Sequence, residues 1–487
     1  MERYTDLNKL YINGQWRDGS HKDKKQDVIN PYDGSVLATF VPGTKDDLDE
    51  AYKAAKEAQK AWAATPVGQK RDVIERAAQI IREREEEIIE WLVKESGSSK
   101  LKASLECQTA FEITREASSY PSRMHGLIVP SYTPGKESRM YRSPLGVIGV
   151  ISPWNFPFHL SMRSVAPALA TGNAVVLKPA THTPITGATL LAKIFEEAGL
   201  PKGVFNVVVG SGSDIGDDFV THPIPKLISF TGSTPVGEGI AELAGKHLKK
   251  LSLELGGNNV MIVLDDADVD KAVEASVFGK FLHQGQICIA INRILVHEKI
   301  HDAFVEKFVA KVKELPVGNP ADDNTIVGPL IDTDAVERIQ KDLEESIRAG
   351  AKKVVNGQMR SNRLMEPIVL TDVKNDMPIA HNEIFGPVAV VIKYKTDDEA
   401  VELANATKYG LSGAIQTSNT ERSVQLAQRL ETGMVHINDQ SVNDEANAAF
   451  GGMKESGLGR FNGEFVLEEF TTVQWISVQH TPREYPF

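Results

Sequence analysis

The clearest signal along this chain is a change in hydrophobic period. Residues 11–40 carry short alternating apolar and polar runs, punctuated by Asn13-Gly14, Asp18-Gly19 and Asp33-Gly34, and these predict small strands and hairpins. The period then lengthens. Leu48, Ala51, Tyr52, Ala55, Ala58 and Trp62 recur at helical spacing over 46–63, with Asp46 and Asp47 in the first turn, where the helix dipole favours an acid, and Pro66 beyond the end. Residues 69–96 repeat the pattern through Val73, Ala77, Ile80, Ile81, Ile88 and Leu92, opposite a dense Arg/Glu face that reads as solvated; residues 101–119 predict a third helix. Four prolines, at 121, 130, 134 and 144, break the next stretch into strand-like pieces that cannot form a core of their own. That stretch predicts a hairpin arm reaching a neighbouring subunit.

From 145 to 263 continuous apolar runs alternate with helices, with strands expected at 146–151, 174–177, 205–209, 227–230 and 259–263. Thr183 is expected as an N-cap with Pro184 at the first helical position, and Gly199 follows the last turn. This spacing predicts βαβ units and a parallel sheet, in which ligands bind beyond the carboxyl ends of the strands. A second alternation fills 264–480. It predicts helices at 266–283, 300–314, 333–349, 396–407 and 420–431, and strands at 293–297, 353–356, 388–394, 412–417 and 433–438. The boundary falls near Gly256-Gly257, and a last strand is expected over 471–478.

A chain of 487 residues suggests about three structural units. A formal net charge of −12 repels nucleic acid and anionic membrane surfaces, so neither is expected as a partner. Two cysteines, Cys107 and Cys288, make neither a disulfide framework nor a Cys-x-x-Cys metal site, which fits a reducing compartment and no metal. The first residues lack a signal-peptide pattern and no apolar window approaches the roughly 20 residues of a membrane span, so a cytoplasmic location is expected.

Candidate chemistry collects at the ends of strands. Cys288 sits between Ile287 and Ile289; a lone cysteine is more often a small buried hydrophobe than a nucleophile. Leu253-Glu254-Leu255-Gly256-Gly257 puts a carboxylate in an apolar setting, where burial raises its proton affinity toward that of a general base; a strand-end ion pair explains it too. Asn155, fixed between Pro153 and Pro157, can donate to an oxyanion or make an Asx-type turn. Lys178 ends a strand before Pro179 and reads as a ligand-facing or a surface lysine. Thr231-Gly232-Ser233-Thr234-Pro235 opens a helix, which suits a phosphate or a plain tight turn. No strict Gly-x-Gly-x-x-Gly stands in the right context; the 209–216 run containing Gly212 comes nearest.

In company these pieces resemble a known family. Pro153-Trp154-Asn155-Phe156-Pro157, the 172–179 run ending in Lys178-Pro179, Phe230-Thr-Gly-Ser-Thr234, Leu253-Glu254-Leu255-Gly256-Gly257, Gly285-Gln-Ile-Cys288, Glu383-Ile-Phe385-Gly386-Pro387 and the 450–457 run are similar, in order, to the signature motifs of the aldehyde dehydrogenase superfamily. The resemblance covers essentially the whole chain. It implies an α/β fold with three parts: a Rossmann-type NAD(P)-binding domain (1–120 and 145–256), an α/β catalytic domain (257–469), and a small β oligomerisation element (121–144 and 470–487). It implies Cys288 as the nucleophile that forms a thiohemiacetal and then a thioester, Asn155 and the Cys288 backbone N–H as oxyanion donors, and Glu254 as the base for hydrolysis. Trp154, Lys178, Thr181, Gly212, Gly232, Ser233, Glu383 and Phe385 would hold the cofactor, with Lys178 on the adenosine ribose, Ser233 on the pyrophosphate, and Glu383 and Phe385 at the nicotinamide end. The partners implied are a small-molecule aldehyde and further copies of the chain, as a dimer or tetramer.

The 433–445 segment and the 481–487 end resemble more narrowly the benzaldehyde and vanillin dehydrogenase branch. An aromatic aldehyde is therefore expected, in a pocket walled by Phe156, Phe158, Leu282, Ile287, Ile289 and Phe450, with His436 or Asn443 able to meet a ring hydroxyl. Many NAD-preferring members carry a glutamate three residues after the ribose lysine; here Thr181 stands there, so use of both NAD and NADP is expected. Arg163 would suit a semialdehyde dehydrogenase, its guanidinium binding a substrate carboxylate; an ion pair behind the pocket is the simpler role. Glu254 argues against a CoA-acylating enzyme, which would release the acyl group to a thiol and not to water, and Cys288, Glu254 and Asn155 together argue against a non-catalytic protein on the same fold.

Overall fold

The computed structural model describes residues 2–487. It is built on two large sheets, each flanked by helices. The first has eight strands, in the order Gln15–Arg17, Leu10–Ile12, Phe205–Val207, Ala174–Lys178, Val147–Ile151, Leu227–Thr231, Lys250–Glu254 and Gly457–Leu458. The middle five are parallel, and all their residues but Ile151, Lys250 and Leu251 are buried, as a sheet covered on both faces requires. From Val147–Ile151 the chain adds two strands on one side and then returns to add two on the other. That reversal opens a crevice at the carboxyl ends. The register sets Ile151 beside Lys178 and Phe230, and Thr231 beside Glu254.

The second sheet has seven strands: Lys352–Val355, Ile368–Thr371, Val388–Tyr394, Ile291–His297, Asn259–Val263, Gly413–Gln416 and His436–Ile437. The chain passes from one sheet to the other through Gly256-Gly257. A third sheet pairs Thr471–Gln479 with Lys136–Pro144 over nine residues, and Leu127–Pro130 with the other edge of Lys136–Pro144. It leaves Leu127, Ile128, Val473, Trp475 and Ile476 exposed. Among the described residues no helix is long and apolar enough to cross a membrane.

Several helices differ from the periodicity. The 69–96 pattern breaks at Arg84 into Val67–Glu83 and Glu85–Ser96, because Arg84 leaves helical geometry (φ −113°, ψ 18°) to pair with Glu87 and Glu197. Thr183 precedes Pro184, but its hydroxyl caps nothing. Glu95, from a different helix, instead accepts from the amides of Ile185 at 2.8 Å and Thr186 at 2.7 Å. The strand Ile368–Thr371 is an addition to the expected set: a four-residue run, apolar but for Thr371, between Pro367 and Asp372.

Candidate active site

The first sheet contributes carboxyl ends to the site. The second contributes the opposite ends: Cys288 lies before Ile291–His297, and Glu383 and Phe385 lie before Val388–Tyr394. The first sheet thus faces the site with its carboxyl ends and the second with its amino ends.

Cys288 is carried on a strained turn. The helix Val269–Phe281 ends, and His283, Gln284 and Gly285 all adopt left-handed backbone with φ of 50°, 57° and 74°. Only glycine fits at 285, since a Cβ there would lie 2.4 Å from the Gly386 carbonyl oxygen. Gln284 Nε2 donates to the Pro329 carbonyl at 2.9 Å, and Asn259 Nδ2 donates to the Cys288 and Ala290 carbonyls at 2.8 Å each. Gly257 presses against the same Cys288 carbonyl.

Two cavities meet at this turn. A cleft of about 1190 Å³ runs along the first sheet, and a smaller pocket of about 260 Å³ lies on the other side; Cys288, Asn155 and Leu160 line both. Asn155 Nδ2 donates to the Gln286 carbonyl at 3.0 Å, which holds the amide at the cysteine turn.

Trp154, Lys178, Thr181, Gly212, Gly232, Ser233, Glu383 and Phe385 all line the large cleft. Lys178 is almost fully buried, and burial pulls its ammonium down to about 8. Ser233 caps the helix Thr234–Lys246 by position, yet its side chain makes no capping bond. Glu383 accepts from the Gly257 amide at 3.0 Å, and burial raises its carboxyl to about 7 against the opposing pull of that amide, Arg338 and Lys280. Trp154 meets Phe385 edge-to-face at 5.5 Å. A long groove with a buried ammonium, a free hydroxyl at a helix start, and a carboxylate and aromatics at the far end fits an extended dinucleotide.

Phe156, Leu282, Ile287, Ile289 and Phe450 line the small pocket, and Leu105 and Phe278 extend its apolar wall. Phe158 does not line it. As the second residue of the helix Pro157–Ala170 it turns into the core of the first sheet and is fully buried there. Asn443 lines the pocket, whereas His436, on an edge strand, reaches neither cavity. Arg163 does reach the pocket wall, but its charge is met by Asp444 at 3.0 Å, and its guanidinium lies over the rings of Phe450 and Phe461 at 4.1 and 4.9 Å. Asp444 is held low although burial opposes it, because His159, Arg163 and Asn462 surround it.

Glu254 ends its strand with a buried carboxylate that lines neither cavity, and neither oxygen has a protein partner. Burial pushes it up to about 7; Asp444 adds to the effect, and Arg163 and Arg460 oppose it. The Cys288 thiol is pushed up to about 12 by burial and by the charges of Glu254, Glu383 and Asp444, with Arg163 alone opposing. The electropositive setting that a thiolate needs is thus limited to one arginine in the protein itself.

Sequence reasoning missed Lys102 and Glu106. They lie outside every motif, on the helix Lys100–Ala117, yet their buried side chains hold the backbone of 155–159. Their spacing of four was the available signal, and it also describes any exposed helix pair.

The sequence matches the aldehyde dehydrogenase family over residues 16–476. It is 53% identical to a benzaldehyde dehydrogenase of Bacillus subtilis over 487 residues, all of both chains. It is 52% identical to a vanillin dehydrogenase of Corynebacterium glutamicum over 478 residues, 98% of each. The fold is that of the crystal structure of a NAD-dependent benzaldehyde dehydrogenase from Corynebacterium glutamicum, with a TM-score of 0.91 at 49% identity and full coverage of both chains. The protein is an oxidoreductase belonging to the aldehyde dehydrogenase family.

Proposed function

We propose that this protein oxidises aromatic aldehydes to carboxylic acids with a nicotinamide dinucleotide. One observation carries the reading: Cys288 and Asn155 line both the apolar pocket and the long cleft, so a carbonyl carbon in the first and a hydride acceptor in the second would meet at the thiol. Cys288 Sγ would lose its proton and bond to the carbonyl carbon, while the carbonyl electron pair moves to oxygen beside Asn155 Nδ2 and the Cys288 amide. A nicotinamide ring held at the Glu383 and Phe385 end of the cleft would supply the hydride acceptor, and loss of hydride from that carbon would leave a thioester on Cys288. Glu254 would then take a proton from water as the water oxygen bonds to the acyl carbon and the C–S bond breaks. Its unpartnered oxygens and raised proton affinity suit that task near neutral pH.

Lys178, Ser233 and Glu383 would hold ribose, pyrophosphate and ribose in turn. Thr181 sets no carboxylate against a 2′-phosphate, which supports use of both NAD and NADP. The flat apolar walls of the small pocket favour an aryl ring, and the Asp444 pairing of Arg163 disfavours a substrate carboxylate. The exposed apolar strands of the third sheet support a homo-oligomer, dimer or tetramer. Both cysteines are free, as a cytoplasmic protein's would be.

Rates without CoA for benzaldehyde, vanillin and succinic semialdehyde, each with NAD and NADP, test this. Faster turnover of the aromatic aldehydes, lost in Cys288→Ala, is expected. Preference for succinic semialdehyde, or full activity in Cys288→Ala, would overturn it.

A further inference from the structure

Lys102 is the feature that the proposed chemistry does not absorb. Its side chain is fully buried. Its ammonium donates to Ser98 Oγ at 2.9 Å, to Glu106 Oε2 at 2.5 Å and to the Asn155 carbonyl at 2.7 Å. It also lies 4.1 Å from the centre of the Phe156 ring. An ammonium has three donors, and here all three are used. Such a group has no hydrogen left for a substrate, so it can position other groups but not touch the chemistry. Glu106 completes the device: its other oxygen accepts from the amides of Phe158 at 2.9 Å and His159 at 3.2 Å, in the first turn of Pro157–Ala170. One helix thus grips both sides of the loop that carries Asn155.

We propose that Lys102 is a positioning residue that sets Asn155 Nδ2 against the reacting oxygen and holds Phe156 as a wall of the aldehyde pocket. The proposal rests on the reading of Asn155 as an oxyanion donor. The residue acts through the backbone: fixing the carbonyl of 155 fixes the peptide from which the side-chain amide projects toward Gln286 and Cys288. Phe156 is the next residue, so the same ammonium orients its ring through the face.

The test compares E106Q with K102M/E106Q, each with Asn155 intact and in an N155A background. In K102M/E106Q the glutamine still accepts from the Phe158 and His159 amides, so the helix start is kept and no buried charge is stranded; E106Q alone leaves the Lys102 ammonium without its carboxylate, so both variants are also read against wild type. With benzaldehyde and NAD, adding K102M to E106Q should lower kcat about 100-fold, the effect of misplacing a reacting group by about an ångström, and should raise the KM for benzaldehyde. In N155A, whose kcat is itself expected to fall about 100-fold, the same addition should change kcat less than about threefold, because the group it positions is gone. NAD affinity, read by fluorescence titration, should stay within about twofold. An equal kcat loss in both backgrounds would overturn the proposal while leaving the role of Asn155 intact. Wild-type kcat in N155A would overturn the oxyanion reading and this proposal with it. If K102M/E106Q does not fold, S98A removes one anchor of the ammonium without stranding a charge. Its kcat loss must likewise vanish in N155A, and an undiminished loss there refutes the proposal.

Discussion

Glu254→Gln isolates the effect of burying one carboxylate. In the folded protein this group titrates at about 7 rather than 4.5, chiefly because burial takes its charged form out of water. Between those two values the unfolded chain has released a proton that the folded chain still holds. The group's favourable contribution is therefore fully present below 4.5 and is lost as pH rises through about 7. At about 1.4 kcal/mol per pH unit, the gap amounts to about 3 kcal/mol of destabilisation above neutrality. A glutamine of the same shape carries no such charge. Glu254→Gln is thus expected to be more stable than wild type by about 3 kcal/mol at pH 8, with the difference falling to about 1.4 kcal/mol at pH 5.5. For a chain of this length the unfolding entropy is about 1 kcal/mol per kelvin, so Tm should rise by about 3 °C. Thermal unfolding by circular dichroism at one protein concentration, from pH 5.5 to 8.5, measures this. The wild-type kcat should rise through about pH 7 as the base loses its proton, in the same pH range. A variant less stable than wild type at pH 8, or a difference that does not change with pH, would refute the reasoning.

The cofactor cleft and the aldehyde pocket can be perturbed one wall at a time. Thr181→Glu should lower kcat/KM for NADP by about tenfold to 100-fold and leave NAD within about threefold, because it restores a carboxylate where a 2′-phosphate would lie; steady-state rates with both cofactors check it. Lys178 carries its charge below about pH 8, so the cofactor KM should climb above that pH in wild type and lose this dependence in Lys178→Met. Ile287→Ala or Ile289→Ala should shift the ratio of kcat/KM between benzaldehyde and a naphthaldehyde by about tenfold, since each removes pocket wall. The rate of Cys288 alkylation by iodoacetamide should stay within about threefold in both.

Much of this was legible because strand ends are legible. Continuous apolar runs such as 174–177 and 227–230 give the buried parallel strands, and the residues just past each run must lie at the sheet's rim. That logic puts Lys178, Ser233 and Asn155 at the rim and leaves a surface lysine, a plain turn and an Asx turn open; the family resemblance is what points them at a ligand. Where tertiary contacts override local pattern, the reading failed. Thr183 occupies a capping position, but Glu95 reaches in from 90 residues away and takes the amides. Phe158 comes shortly after two pocket-lining residues, but the helix that starts at Pro157 turns its ring to the core. Lys102 and Glu106 look like any solvated pair until Asn155 and Phe158 are packed over them. The high proton affinity of Cys288 comes first from burial and then from carboxylates of three distant segments, and no local window contains either.

The central claim is that oxidation passes through an acyl group on Cys288 that Glu254 serves to remove. Its most direct test is intact-mass and peptide-mapping spectrometry of Glu254→Gln after a single turnover of benzaldehyde with NAD. The account predicts one benzoyl group per chain, on Cys288, formed together with one equivalent of NADH and released slowly. Unmodified protein after NADH has formed, with turnover continuing at the wild-type rate, would contradict it, as would an acyl group on any other residue.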